Sequence, residues 1–173
     1  MTNISLGLHV LFAAILVGGQ LLLFYAVVPS TWLIEDEKLR RGVTRVVTTR
    51  FAWLAAAAIV GLVITGLFQF YQDTLVPPDV RENMMDFRFG AIFSAKMTLF
   101  VVLVVLIAVH GIYFGRRIGR MSKAVAAGEA EPGDLERLRR NSLLFSAVLL
   151  LISIVLIFLG ATLSNNAYTD QPI

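Results

Sequence analysis

Residues 93–111, FSAKMTLFVVLVVLIAVHG, decide the fold. Only Lys96 and His110 carry an ionisable group in an otherwise oily stretch, which belongs to an apolar run spanning about 91–115. Three more such runs lie near 4–28, 51–71 and 142–163. Each has the ~20 residues that cross a hydrocarbon core about 30 Å thick at 1.5 Å per residue. In lipid every backbone N–H and C=O must be paired internally, so runs of this length are helices. The short alternating segments of a membrane barrel are absent. The sequence therefore predicts an all-α, integral membrane four-transmembrane-helix bundle, one domain over 1–173. The first run has no basic residue before it and carries His9 and Gln20 inside it, which reads as a retained helix rather than a cleaved signal.

Composition agrees. The chain is 57% hydrophobic, with a mean hydropathy of +0.77, above that of an ordinary soluble domain. It has no cysteine, which excludes disulfides, thiolate zinc sites and iron–sulfur clusters. The net charge of +3 comes from basic residues beside the apolar runs, so the expected partner is the lipid bilayer and not nucleic acid.

The charges also orient the chain. Loop 30–50 holds Lys38, Arg40, Arg41, Arg45 and Arg50; loop 116–141 holds Arg116, Arg117, Arg120, Lys123, Arg137, Arg139 and Arg140. The other side, with loop 72–90 and both ends of the chain, holds only Arg81 and Arg88. The positive-inside rule then places the two basic loops in the cytoplasm and both termini on the outer side of the cytoplasmic (inner) membrane. PGDLERLRRN, with Pro132 and Asp134, reads as a helix start whose Leu135 and Leu138 touch the membrane surface. Pro77 and Pro78 forbid a continuous helix between the second and third runs.

Depth can be counted along the first and third runs, which point the same way. His9 lies roughly 8 Å below Ile4, and Lys96 lies at a similar depth below Ala91. Gln20 lies at about 24 Å and His110 at about 28 Å. Lys96 and His110 share a helix face, as do His9 and Gln20. Two layers are expected: His9 with Lys96 near the outer face, and Gln20 with His110 near the cytoplasm. The two histidines differ in depth by roughly 20 Å, whereas two axial ligands of one iron lie only about 4 Å apart. They are not a bis-histidine pair within one subunit. A buried lysine is treated as functional, a neutral imidazole can ligate a metal, and glutamine serves more often as interhelical glue.

Gly18, Gly19, Gly61, Gly66, Gly111 and Gly115 are expected at tight helix contacts, the last two with small-xxx-small spacing. Met84, Met85 and Met97 are soft sulfur ligands that would suit Cu(I).

These stretches resemble a family. SLGLHVLFAAILVGGQLLLFYAVVPS is similar to the first helix of the copper-resistance protein D (CopD) group: Leu-His, a Gly-Gly pair, then a proline at the exit. RFAWLAAAAIVGLVITGLFQF resembles that group's second helix, with Arg50 at its start and the Thr65-Gly66 pair. AKMTLFVVLVVLIAVHG resembles the lysine-to-histidine helix shared with HemJ-type protoporphyrinogen oxidases. The resemblance covers residues 4–120 and implies a compact four-helix bundle that binds haem, with His9 and Lys96 at the positions of the important pair. The chain lacks the Trp and Lys before that histidine, the first-helix arginine and the Asn-Glu-Pro of the fourth helix.

The leading expectation is a haem-b-binding membrane protein, redox-active or a subunit of a redox assembly. His9 would be an axial ligand, and Lys96 a second ligand or a propionate partner. His110 and Gln20 would form a separate inner site. Any second histidine would come from a homo-oligomer or a redox partner subunit. Three alternatives stay open: copper transport or delivery through His9, His110, Met84, Met85 and Met97; a HemJ-like oxidase; and a cofactor-free packing subunit.

Overall fold

A computed structural model describes residues 2–172. The described chain is helical, with four helices long and apolar enough to cross a membrane. Helix α1 (Thr2–Leu22) continues through a π-helical turn, Leu23–Val27, and two short turns as far as Leu33. The π turn precedes Pro29, whose missing N–H and bulky ring disturb the preceding turn. Helix α2 spans Glu37–Phe70. Its start is set by Asp36, whose carboxylate accepts from the Lys38 and Leu39 backbone N–H groups at 2.7 and 3.1 Å, an N-cap arrangement. Helix α3 (Arg88–Val109) runs through a second π turn, His110–Phe114, into α4 (Gly115–Ala126). Gly128, at φ +74°, ends that helix in the left-handed conformation that suits glycine. Helix α5 spans Pro132–Leu163.

All four continuous helices outrun the apolar stretches. They cover 31, 34, 39 and 32 residues, or roughly 47–58 Å. The excess lies mostly at the end carrying the two basic loops, hereafter the basic end. Residues 132–141 are the first turns of α5 rather than a separate surface helix. Leu135 is only 1% exposed, so the expectation that it touches the membrane surface is corrected: it is buried within the protein.

Helices α1 and α2 pack in one antiparallel register. Gln69 Nε2 donates to the Ser5 carbonyl at 3.2 Å, and Leu16 packs with Ala55 and Ala58. The Phe12 ring fills the space a β-carbon on Gly61 would take, and the Phe51 ring does the same at Gly19. These glycines are seats for aromatic knobs. Gly18, Gly111 and Gly115 have no neighbour within 4 Å of that position, so the expectation that they make tight contacts is corrected.

Helices α3 and α5 form the second close pair, and α1 packs on α5. The order around the bundle is α2, α1, α5, α3. Among the described residues the apolar lengths of α2 and α3 make no close pair, and α2 meets α3 at one end and α4 at the other. At the end bearing the termini, Phe70 stacks on Phe93 with centroids 5.1 Å apart. There Val76, Val80 and Phe89 form an apolar cap with Phe70, Phe93 and Leu163. The C-terminal tail closes it, since the Arg88 N–H donates to the Gln171 carbonyl at 3.0 Å. At the basic end, Glu37 of α2 accepts from Ser122 of α4 and from Arg139 of α5.

Candidate functional site

The site is built around His9, half-buried between α1 and α2. Its Nδ1 lies 2.7 Å from Thr65 Oγ1. Thr65 Oγ1 also lies 2.7 Å from the Gly61 carbonyl oxygen, which can only accept. A hydroxyl has one proton, so Thr65 donates to Gly61 and accepts from His9. His9 is therefore the Nδ1–H tautomer, and Nε2 keeps its lone pair. This is the state in which a histidine ligates a metal: one nitrogen oriented by a hydrogen bond, the other free. Gly66 borders the ring, and a β-carbon there would sit in ordinary contact, 3.5 Å from His9 Cε1.

Lys96 is the second element. Its side chain turns into the bundle, with Nζ 3.5 Å from the place a Gly160 β-carbon would occupy on α5. Among the described residues it forms no hydrogen bond or ion pair. An ammonium in this position calls for an anionic partner. Of the expected outer pair, His9 lies against Thr65 and Gly66 of α2 and Lys96 against Gly160 of α5.

The expected inner pair does not form. Helix α5 serves as a ruler, because His110, Gln20 and Lys96 all meet it. His110 Nε2 bonds Ser142 Oγ at 3.0 Å, Gln20 bonds Ser153 at 3.0 Å, and Lys96 lies at Gly160. Ser142 and Ser153 are eleven residues apart, or about 16 Å. Gln20 and His110 belong to different levels, which corrects the reading of one inner layer. The cause is packing: α1 and α3 lie diagonally, with α5 between them, so equal counts along α1 and α3 do not bring side chains together. Ser153 is almost fully buried, and its hydroxyl faces two acceptors, Gln20 Oε1 at 3.0 Å and the Leu149 carbonyl at 2.9 Å, which share its one proton. This is an interhelical tie.

His110 sits in an aromatic corner, edge-on to Phe114 and Phe145. Gln20 meets α5 about 16 Å from Ser142, and His9 lies eleven residues further from it along α1, so the two histidines serve separate places in the bundle. The methionines lie elsewhere. Met84 packs against the apolar cap, while Met85 and Met97 are 62% and 37% exposed. Among the described residues no group of three or more His, Asp or Glu converges as a metal site.

Chemically, the His9 imidazole nitrogen could meet a metal such as haem iron, and the Lys96 ammonium could meet a carboxylate such as a propionate. This set offers one histidine ligand. Two open surface hollows lie along residues 36–50, away from His9. Thr65, Ser142, Ser153 and Gly160 are the partners that sequence reading left without a site role. Their only signal is a small or hydroxylic residue in an apolar helix, which usually means a bond to its own backbone.

Compared with known proteins, the chain matches no protein-family profile, no curated protein and no solved structure.

Proposed function

We propose that this protein binds haem b within the cytoplasmic membrane and serves there in electron transfer, alone or as a subunit of a redox assembly. The observation that carries the reading is the His9 tautomer. Thr65 holds Nδ1–H, which leaves Nε2 as a ligand in the half of the bundle that also holds Lys96. The resemblance of residues 4–120 to CopD and HemJ-type proteins points the same way. The bound group supplies a one-electron redox couple. His9 fixes its position, Thr65 fixes the imidazole, and Lys96 neutralises a carboxylate.

Both termini and the His9 corner then lie toward the outer face, with Glu37 and the basic loops in the cytoplasm. Oxidised and reduced absorption spectra of the purified protein, with a pyridine haemochrome assay, test the reading. A b-type spectrum at stoichiometric haem is expected. A colourless protein from haem-sufficient cells would overturn it.

A further inference from the structure

Three sides of the bundle are packed and one is not. Helix α1 holds α2 through the Phe12–Gly61 and Phe51–Gly19 seats. Helix α5 holds α3 through His110–Ser142 and the contact of Lys96 with Gly160. Helix α1 holds α5 through Gln20–Ser153. Between α2 and α3 the apolar lengths make no comparable contact. That seam is pinned by the Phe70–Phe93 stack at one end and by a polar cluster at the other.

The polar cluster is built like a fastening. One oxygen of Glu37 accepts both the Ser122 hydroxyl and Arg139 Nη2, the latter at 2.7 Å. Arg139 Nη1 donates to Glu136 at 2.8 Å, and Arg40 Nη1 donates to the same Glu136 oxygen at 2.9 Å. Ser122 is fully buried, whereas Glu136 is half open to solvent. A single carboxylate thus joins α2 to both α4 and α5. Losing it leaves a buried hydroxyl without an acceptor and an arginine with one partner fewer.

The apolar cap closes the end of the bundle nearest to the His9 corner. A flat ligand too large for a gap between packed side chains must push a pair of helices apart to arrive. The pair with least to lose is α2 and α3. We propose that the α2–α3 seam is the doorway through which a flat, lipid-soluble, carboxylate-bearing ligand reaches His9 and Lys96 from the bilayer, with Glu37–Ser122–Arg139 as its latch. The cargo rests on the haem reading above; the mechanics of the seam do not.

The absence of native cysteine makes the test clean. Spin labels are placed at Val60→Cys on α2 and Val101→Cys on α3, both exposed positions, in protein held in lipid nanodiscs. In the Glu37→Gln and Ser122→Ala backgrounds, the interlabel distance distribution should broaden toward longer values while helicity and elution stay unchanged. An unchanged distribution in both variants would overturn the latch. In a second arm, Glu37→Cys with Ser122→Cys and Phe70→Cys with Phe93→Cys are bridged by a short reducible bifunctional thiol reagent. Haem supplied from vesicles should load at least ten times more slowly into the bridged apoprotein, and reductant should restore the rate. Equal loading with and without the bridges removes the doorway. If the wild-type apoprotein takes up no haem at all, the haem reading fails, and the seam is judged on the label distances alone.

Discussion

Two histidines sit in corners that look alike at first. Each ring meets a hydroxyl on a neighbouring helix, His9 with Thr65 at 2.7 Å and His110 with Ser142 at 3.0 Å. The difference lies in where the hydroxyl proton goes. Thr65 has committed its proton to the Gly61 carbonyl, so His9 must donate and is left with a free Nε2. Ser142 has no such bond to a carbonyl, so His110 can hold either tautomer. His9 lies in the same half of the bundle as Lys96, while His110 has the edges of Phe114 and Phe145. On the proposed reading the first corner would take an electron-pair acceptor and an anion, while the second is an aromatic joint between α3 and α5. The type of residue does not separate them, but the second bond of each partner does.

That contrast can be broken experimentally. Thr65→Val removes the acceptor for His9 and should weaken haem retention about 10–100-fold, the usual loss when a ligand's orienting partner goes. Ser142→Ala should leave retention unchanged; equal losses in both variants would erase the distinction. Glycine substitutions come next. Gly61→Ala drives a methyl into the Phe12 ring and should cost about 1–3 kcal/mol in unfolding from detergent micelles. Gly115→Ala meets open space and should cost nothing.

Lys96→Met retains length but loses charge. It should raise the haem dissociation constant about tenfold, the worth of a charged hydrogen bond of roughly 1.5 kcal/mol. Lys96→Arg should recover some of that loss in the same titration. The smallest effect belongs to the interhelical tie. Ser153→Ala should lower stability by about 0.6 kcal/mol, as for an average hydrogen bond between membrane helices, with the haem spectrum unmoved.

Much of this architecture is legible in the sequence because lipid leaves so few options. Four long apolar runs must be helices, and the helices are there. Their ends are less legible. Residues 37–50, 115–126 and 132–141 are mixed in polarity, so nothing in their composition separates a loop from a helix running on past the apolar run. Leu135 shows the consequence: it reads as a surface anchor and is buried. The pairing of Gln20 with His110 fails for a geometric reason, since depth along two diagonal helices does not identify the helix between them. Thr65, Ser142 and Ser153 stay hidden because a hydroxyl in an apolar helix ordinarily bonds its own backbone. Only the packed bundle shows which of them has a histidine or an amide within reach.

The central claim is that His9, and not His110, is the ligand-bearing histidine. Haem content of wild type, His9→Ala and His110→Ala, purified side by side and assayed as the pyridine haemochrome, tests it most directly. The account predicts stoichiometric haem in wild type and His110→Ala, and none in His9→Ala. Haem retained in His9→Ala and lost in His110→Ala would contradict it.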